Sequence, residues 1–227
     1  MEPESVSERV PLLNTASPET IGWVLSVSEE QIYEPQAILI PSDGWGKSVS
    51  FILSGWVVIS TQVQQQEKTL EVLGQGDYFG VMAVLDDYPP LSQAIALSET
   101  RLLTIPAQRF LQLLLKDNQL QQRMLQLTIQ RVRHLYRRLK STSQSSTRKV
   151  MKTLVYLAEN YGKSTDRGIA IWKLSEQIFA DLINTEPEVI SIVLTQLREN
   201  NLLVSSEEDN QFYITNLKQL YHFSKQF

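Results

Sequence analysis

The first part of the chain places apolar and polar residues in short stretches, a pattern that predicts β-strands rather than helices. Residues 48–60 (SVSFILSGWVVIS) are rich in β-branched and aromatic residues on either side of Gly55. Residues 74–77 (GQGD) form a turn cluster. We therefore expect an irregular arm over residues 1–20 and an antiparallel β-barrel or sandwich over residues 21–106.

The middle of the chain has a helical pattern with two apolar stripes. Residues 107–140 follow Pro106 and contain neither glycine nor proline, which predicts one long helix. The first stripe has the 4-3-4-3 spacing of a coiled-coil seam and comprises Leu125, Ile129, Val132, Tyr136 and Leu139. The second stripe would pack on the chain's own β-domain and comprises Leu113, Leu120, Met124 and Leu127. One broad internal stripe is the alternative, but the helix is too long for the β-domain alone, so we favour a dimerisation helix.

The last third of the chain predicts a helix-turn-helix followed by a hairpin. Residues 141–147 (STSQSST) are a polar hinge, and residues 148–161 predict a helix that ends at Gly162. Residues 174–201 then predict two helices about a tight turn, and residues 202–215 predict a hairpin with an acidic turn. Residues 148–227 would therefore form one DNA-binding domain.

Three polar residues define the expected turn between the two helices. Ser175 can cap the first helix with its hydroxyl. Asn184 stands where the turn needs a left-handed residue, a conformation that asparagine tolerates. Thr185 and Glu188 have the spacing of a capping box, which predicts that the second helix starts just after Thr185.

In DNA-binding proteins of this type the second helix enters the major groove. Its expected exposed side consists of Glu186 and four candidate base-reading residues, Glu188, Ser191, Ile192 and Thr195. This side carries no arginine or lysine to bind guanine edges. Glu188 could accept a hydrogen bond from a cytosine amino group, Ser191 and Thr195 could bind base edges, and Ile192 could contact a thymine methyl. Helix capping alone is an equal alternative for Glu188.

The charge of the chain is divided unevenly around a net charge of −4. Residues 118–158 contain nine bases and no acid, which indicates an anion-facing segment or, alternatively, a solvated helix face. Residues 174–210 contain eight acids and only one base. Because phosphate contacts supply much of the affinity for DNA, they would have to come from Arg148, Lys149, Lys152, Lys173 and Arg198.

Composition excludes several other classes of protein. The chain has no cysteine, so it has no disulfide, thiolate zinc site or cysteine-bound iron–sulfur cluster. Its two histidines are far apart, and no nucleophile–base pair or phosphate-binding loop is present, so we expect neither an enzyme nor a metal or other cofactor. The acidic N-terminus lacks the apolar region of a signal peptide, and no apolar run is long enough to span a membrane. These features predict a cytoplasmic protein.

The order of these segments resembles the catabolite activator and fumarate–nitrate regulator (CRP/FNR) family of bacterial transcription factors. The matching stretches are FILSGWVVIS (51–60), LGQGDYFG (73–80), ALSETRLLTIP (96–106), the long helix, and LSEQIFADLINTEPEVISIVLTQLRENNLL (174–203). The resemblance implies an α+β fold: an N-terminal cyclic-nucleotide-binding-type β-barrel of the jelly-roll kind, a dimerisation helix, and a C-terminal winged helix-turn-helix.

The chain departs from the family pattern at the residues that hold a cyclic nucleotide. A Gly-Glu pair is replaced by Gly80-Val81, and an Arg-Ser or Arg-Thr pair is replaced by Ser92-Gln93 or, without a gap, by Leu91-Ser92. We expect a degenerate effector region, comprising Gly80, Val81, Met82, Ser92 and Gln93, that does not bind cAMP tightly because no cation faces the phosphate. Tyr88-Pro89-Pro90 predicts a stiff loop in place of the phosphate cradle. The effector, if one exists, is unknown.

The recognition helix departs as well, since Pro187 and Ile192 replace two arginines that the family often has there. The sequence therefore predicts a homodimeric DNA-binding regulator with an unfamiliar target sequence. Its partners would be DNA, a second copy of the chain, and RNA polymerase or another regulator, and no membrane. The alternative is an interaction protein that kept this fold and lost sequence-specific DNA binding.

Overall fold

The computed structural model describes residues 3–86, 91–140 and 144–226. Internal contacts divide the chain into two units, Met1–His134 and Leu135–Phe227. In the first unit the elements are α1 (Pro3–Arg9), α2 (Pro18–Val27), β1 (Glu29–Tyr33), β2 (Ile38–Ile40), β3 (Ser48–Ser54), β4 (Val57–Val63), β5 (Gln66–Leu73), β6 (Tyr78–Phe79), α3 (Val81–Leu85), β7 (Ser92–Ala96), β8 (Thr100–Pro106), α4 (Ala107–Lys116) and most of α5 (Asn118–Lys140).

The strands of the first unit form two antiparallel sheets with the orders β1-β8-β3-β6 and β2-β7-β4-β5. Side chains from both sheets meet in one buried cluster, which includes Ile52 and Leu102 of the first sheet and Ile59 and Ala94 of the second. The sheets therefore pack face to face, as the predicted sandwich requires, but they do not close into a barrel. The predicted α+β fold, with a strand-rich first domain ahead of a long helix, is confirmed.

The other face of the first sheet is covered by helices, and this explains why β3 is buried along nearly its whole length. Phe51 and Ile105 of the sheet join Phe110 of α4 and Met124 of α5 in a second buried cluster. Leu113 and Leu120 belong to the same cluster, and Leu127 packs against it. The prediction that this stripe packs on the chain's own β-domain is therefore confirmed.

Gly55 makes the break between β3 and β4 that the sequence predicted. Its φ of +93° lies in the left-handed region, and an added Cβ would come within 2.3 Å of the Glu99 carbonyl oxygen. Only glycine fits such a close approach of two backbone segments. The turn at residues 74–77 is also present, with the Asp77 carboxylate accepting a hydrogen bond from the Gly74 amide at 3.0 Å.

The prediction of an irregular N-terminal arm is wrong. Residues 3–9 form α1, and Val6, Val10, Leu12 and Leu13 are at most 1% exposed within the second cluster. Residues 18–27, which span the end of the predicted arm and the start of the predicted strand region, form α2 instead, capped by Ser17 and with Pro18 in its first turn. The polar composition of this segment hid a few apolar residues that cover the open face of the first sheet.

The predicted continuous helix over residues 107–140 is interrupted at Asp117. This residue has an extended backbone (φ −130°, ψ 101°) that ends α4. Its carboxylate accepts hydrogen bonds from the amides of Gln119 at 2.9 Å and Leu120 at 3.2 Å and so starts α5. An aspartate at an N-cap ends one helix and begins the next without glycine or proline, which is why the sequence pattern missed the break.

The second unit contains the end of α5, then α6 (Ser146–Tyr161), β9 (Lys163–Thr165), β10 (Gly168–Trp172), α7 (Glu176–Ile183), α8 (Pro187–Glu199), β11 (Leu203–Ser206), β12 (Gln211–Ile214) and α9 (Leu217–Gln226). The strands form one antiparallel sheet in the order β11-β12-β10-β9. The predicted hairpin is thus β11–β12. Phe179 of α7 contacts Phe212 of β12, with ring centroids 6.5 Å apart, which ties the helices to the sheet.

Two predicted boundaries in this unit differ from the structure. The helix predicted to start at residue 148 starts at Ser146, because the Ser145 hydroxyl caps it by accepting from the Arg148 amide at 3.3 Å. Residues 141–143 of the predicted hinge lie outside the described residues. The predicted capping box at Thr185 is wrong: the N-cap of α8 is Glu186, without a side-chain cap, and the Thr185 hydroxyl instead meets the Ser146 hydroxyl at 3.1 Å.

Candidate nucleic-acid interface and effector region

Helices α7 and α8 form the predicted helix-turn-helix. The Ser175 hydroxyl caps α7 by accepting a hydrogen bond from the Ile178 amide at 3.3 Å, as expected. Asn184 ends the helix with φ 53° and ψ 69°, the left-handed conformation predicted for the turn. Ile190, Val193, Leu194 and Leu197 are buried, which fixes the face of α8 that points inward.

The four predicted base-reading residues lie together on the outer side of α8. Glu188, Ile192 and Thr195 are exposed, and Ser191 is half-buried. Their spacing of i, i+3, i+4 and i+7 places them over two successive turns. Ile192 is 59% exposed, so an apolar side chain stands among polar ones at the centre of this base-reading face. The arrangement offers one carboxylate, two hydroxyls and one aliphatic group to a partner, and no cation.

Each of the five predicted phosphate-binding residues makes a hydrogen bond or an ion pair within the second unit. Arg148 donates to the Ser224 carbonyl at 2.8 Å and the Lys225 carbonyl at 3.4 Å. Lys149 donates to the Ile183 carbonyl at 3.4 Å, and Lys152 to the Gln144 side chain at 2.8 Å. Lys173 pairs with Glu207, and Arg198 donates to the Ser205 hydroxyl at 2.9 Å.

Arg138 is a residue of this region that sequence reasoning missed. From the last turn of α5 it donates to the Leu182 carbonyl at 2.8 Å, next to the bond from Lys149 to Ile183. Both cations thus reach carbonyl groups at the C-terminus of α7, where the helix dipole favours positive charge. The basic run of the sequence indicated an external anion, whereas two of its members hold the start of the turn before α8.

The predicted effector region combines apolar and neutral polar side chains. Val81 is buried at 6% exposure, whereas its neighbour Met82 is 74% exposed. Ser92 is buried, and Gln93 donates to the Glu67 carboxylate at 3.2 Å. Gly80 has a φ of +92°, and an added Cβ would lie 2.4 Å from the Ser48 carbonyl oxygen. The predicted Tyr88-Pro89-Pro90 loop lies outside the described residues.

An ion pair that the sequence did not indicate lies beside this region. Arg131 of α5 binds Glu71 of β5 through both Nε and Nη2, with the shortest distance 2.5 Å, and its Nη1 donates to the Tyr78 carbonyl at 2.8 Å. Burial lowers the pKa of Arg131, but the charge and hydrogen bonds of Glu71, with smaller effects of Asp77 and Tyr78, raise it overall. The guanidinium therefore stays charged. No spacing rule connects residues 60 positions apart, so a single sequence gives no indication of this pair.

The five residues of the predicted dimer seam are exposed on one side of α5. Their exposures run from 45% for Ile129 to 69% for Leu139. Leu120 and Met124, on the opposite side of the same helix, are buried. The helix thus has an apolar face that the single chain does not cover.

The described residues also bear on metal binding and on membrane insertion. Across residues 3–86, 91–140 and 144–226, no group of three or more histidine, aspartate or glutamate side chains is arranged to hold a metal ion. Within the same ranges, no helix combines the length and apolar character needed to cross a membrane.

Residues 30–117 match the family model described as "Cyclic nucleotide-binding domain". This match runs from β1 through α4 and so includes both sheets of the first unit. A curated relative, the "Cyclic AMP receptor protein" of Thermus thermophilus, is 26% identical over 196 residues, which are 85% of this chain and 88% of that protein. The match thus extends beyond the β-domain into the helix-turn-helix unit.

Through its cyclic nucleotide-binding domain and its similarity to this relative, the chain resembles the CRP/FNR family. Solved structures of similar fold include FixK2 from Bradyrhizobium japonicum, at 18% identity and a TM-score of 0.72 over 86% of this chain and 96% of that one. A CooA mutant from Carboxydothermus hydrogenoformans is similar at 20% identity and a TM-score of 0.71, covering 95% of both chains. These comparisons bear out the family resemblance drawn from the sequence motifs, and the two departures, at the effector region and at α8, distinguish this chain.

Proposed function

We propose that this protein is a homodimeric, DNA-binding transcription regulator that works in the cytoplasm without cAMP. The observation that carries the proposal is the outer face of α8, with Glu188, Ser191, Ile192 and Thr195 presented on a helix-turn-helix. The family that the chain resembles consists of DNA-binding regulators of transcription. A second helix of this kind reads base edges in the major groove.

The exposed seam of α5 supports the homodimer. Leu125, Ile129 and Val132 repeat at the spacing by which two helices interdigitate in a coiled coil. An apolar stripe of this length exposed to water is unfavourable unless a partner covers it. A second copy of the chain offers the same stripe, so the pairing is self-complementary.

The effector region supports independence from cAMP. The buried Val81 provides no carboxylate for a ribose, and neither Ser92 nor Gln93 provides a cation for a phosphate. We expect no binding of cAMP to the wild-type protein in a calorimetric titration. The double variant Val81→Glu with Gln93→Arg would restore both groups, and absence of any cAMP binding by it would indicate that the space itself is closed.

Selection of bound DNA from a random duplex library, at two salt concentrations, tests the proposal. A regulator should recover a two-fold symmetric motif with half-sites about one helical turn apart. Glu188→Ala and Ser191→Ala should change the preferred bases, whereas Glu176→Ala, which removes an exposed acid from α7, should leave them unchanged. If Glu188→Ala and Ser191→Ala preserve the motif, the base-reading face is assigned wrongly.

A specific observation favours a second candidate, an interaction protein that has lost sequence-specific DNA binding. The five candidate phosphate-binding residues are each engaged within the unit, and residues 174–210 carry eight acids against one base. Such a surface fits a basic protein partner, or action through another regulator. Recovery of no motif, with weak binding that salt abolishes, would decide for this candidate.

A further inference from the structure

The ion pair between Arg131 and Glu71 joins the long helix to the β-domain within the first unit. Three donor nitrogens of the guanidinium are used: Nε and Nη2 bind the Glu71 carboxylate, and Nη1 binds the Tyr78 carbonyl at 2.8 Å. The guanidinium carbon also lies 5.7 Å from the centroid of the Tyr78 ring. The pair therefore fastens α5 to β5 and β6 simultaneously.

Both members of the pair are largely removed from water. The side chain of Arg131 is 26% exposed and that of Glu71 is 16% exposed. The ion pair Lys173–Glu207 lies nearer the surface, since its glutamate is 81% exposed. Removal of one partner from a half-buried pair leaves an unneutralised charge with little water around it, which costs more than the loss of a surface pair.

The ion pair neighbours both segments of the effector region, one across the sheet and the other along the chain. Across the second sheet, Glu71 of β5 is opposite Ile59 of β4, and Ile59 is opposite Ala94 of β7, the residue after Gln93. On the other side, the Tyr78 carbonyl bound by Arg131 is two residues before Gly80. The ion pair is therefore linked through the sheet and the backbone to both segments of the effector region.

We infer that Glu71 is a built-in counter-ion for Arg131, so that α5 is held on the β-domain by the chain itself without a bound effector. The arrangement satisfies the cation in the way that a ligand anion would, and it places a fixed negative charge where an anionic ligand would enter. The inference concerns the regulation of the proposed DNA-binding function and rests on that proposal for its biological meaning. Its structural content, the fastening of α5, does not depend on DNA.

Hydrogen exchange of the full-length protein tests the fastening directly. Glu71→Gln and Arg131→Gln each remove one charge and keep the approximate size of the side chain. We expect amides of α5 around residue 131 and of β5 to exchange on the order of tenfold faster in either variant. The double variant should exchange little faster than the singles, because the first change already abolishes the pair.

Two variants serve as matched controls. Glu67→Gln removes a carboxylate of the same strand, which accepts hydrogen bonds from the side chains of Ser60 and Gln93. Arg133→Gln removes an exposed guanidinium from the same helix. If Glu71→Gln and Arg131→Gln change the exchange of α5 no more than these controls do, or if the effects of the pair simply add, the inference is wrong.

The affinity for DNA then separates the inference from the proposed function. If the pair replaces an effector, wild-type protein should bind its selected site without any added ligand, and Glu71→Gln should weaken that binding by lowering the fraction of binding-competent protein. Faster exchange with unchanged affinity would overturn the regulatory role. Failure of the wild type to bind any DNA would contradict the proposed function while leaving the exchange result to be judged alone.

Discussion

Asn184 shows how one residue shapes the turn on which the base-reading helix depends. Its left-handed backbone (φ 53°, ψ 69°) ends α7 and redirects the chain within three residues toward α8. The Asn184 amide bonds back to the last turn of α7, and the Thr185 amide donates to the Ala180 carbonyl at 3.0 Å. Asparagine and glycine adopt this conformation more readily than other residues because a longer or branched side chain crowds the backbone.

Substitution of Asn184 tests this requirement. Asn184→Ala should lower the free energy of unfolding by about 1 kcal/mol, the cost of the left-handed region for a residue with an ordinary Cβ. Asn184→Gly, the matched variant, should retain the wild-type value or exceed it slightly. Urea denaturation of both variants gives the comparison, and equal stability of the alanine and glycine variants would contradict the account of this turn.

The wing hairpin contains a second residue-scale determinant, a hydrogen bond from the Tyr213 hydroxyl to the Asp209 carboxylate. Tyr213 and then Ser206, by donating hydrogen bonds, lower the pKa of Asp209, and the bond to Asp209 raises the pKa of Tyr213. A lowered carboxyl pKa means that the folded state favours the ionised form. The stabilisation is therefore present above the ordinary pKa of 3.8 and is lost as the pH falls through the lower value of the folded protein.

The pH dependence of Tyr213→Phe follows from that sign. This variant removes the donor, so the Asp209 pKa should rise toward its ordinary value in a carbon-detected NMR titration. The difference in melting temperature between wild type and variant should be larger at neutral pH than below pH 3.8. A difference that grows as the pH falls would show that the bond acts on the protonated carboxyl instead.

At the scale of elements, the hydrophobic periodicity predicted the buried face of a helix or strand better than it predicted the residues at which the element begins and ends. The stripe of Leu120 and Met124 is buried as expected, because the helical period follows from geometry alone. The break at Asp117 was missed because an aspartate N-cap looks like any polar surface position. The helix α1 was missed because its few apolar residues are buried only by packing against the first sheet, and the sequence did not indicate that contact.

The seam of α5 makes the element-scale prediction. Ile129→Asp places a charge in the centre of the exposed apolar face, and two copies would bring like charges together at a desolvated contact. We expect the dimer to dissociate at least tenfold more readily, as measured by sedimentation equilibrium. Gln130→Asp adds the same charge to an exposed position that does not belong to the seam, and it should leave the assembly intact.

Either of two results would contradict the seam. A wild-type protein that is monomeric at all concentrations would remove the dimer itself. Equal dissociation of Ile129→Asp and Gln130→Asp would assign the effect to net charge rather than to the apolar stripe. In both cases the exposed apolar face of α5 would have to be covered by a partner other than a second copy of the chain.

At the scale of the whole molecule, the sequence predicted the fold class and the family but only part of the site. The face of α8 followed from helical spacing and lies where it was expected. The roles of individual basic residues could not be predicted, since Arg148 and Lys149 donate to carbonyl groups 76 and 34 residues away. Nor could the partner of Arg131 be predicted, because long-range charge pairing has no periodic pattern in a single sequence.

The salt dependence of DNA binding decides whether the hydrogen bonds within the protein leave the basic side chains available to DNA phosphates. A lysine has three donors and an arginine five, so Arg148 and Lys149 can keep their bonds to carbonyl groups and still bind phosphate oxygens. If all five candidate basic residues bind phosphates in both subunits, the logarithm of the binding constant should fall with the logarithm of the salt concentration at a slope of about −9. Removal of Arg148 and Lys149 together should then reduce that slope by about 4 and weaken binding evenly across sequences.

Arg109→Ala with Lys116→Ala, which removes the same charge from α4, is the matched control and should leave the slope unchanged. A slope that stays the same in the Arg148→Ala, Lys149→Ala variant, while its melting temperature falls, would show that both side chains only hold the helices in place and that the affinity of this acidic domain for DNA must come from the base-reading face.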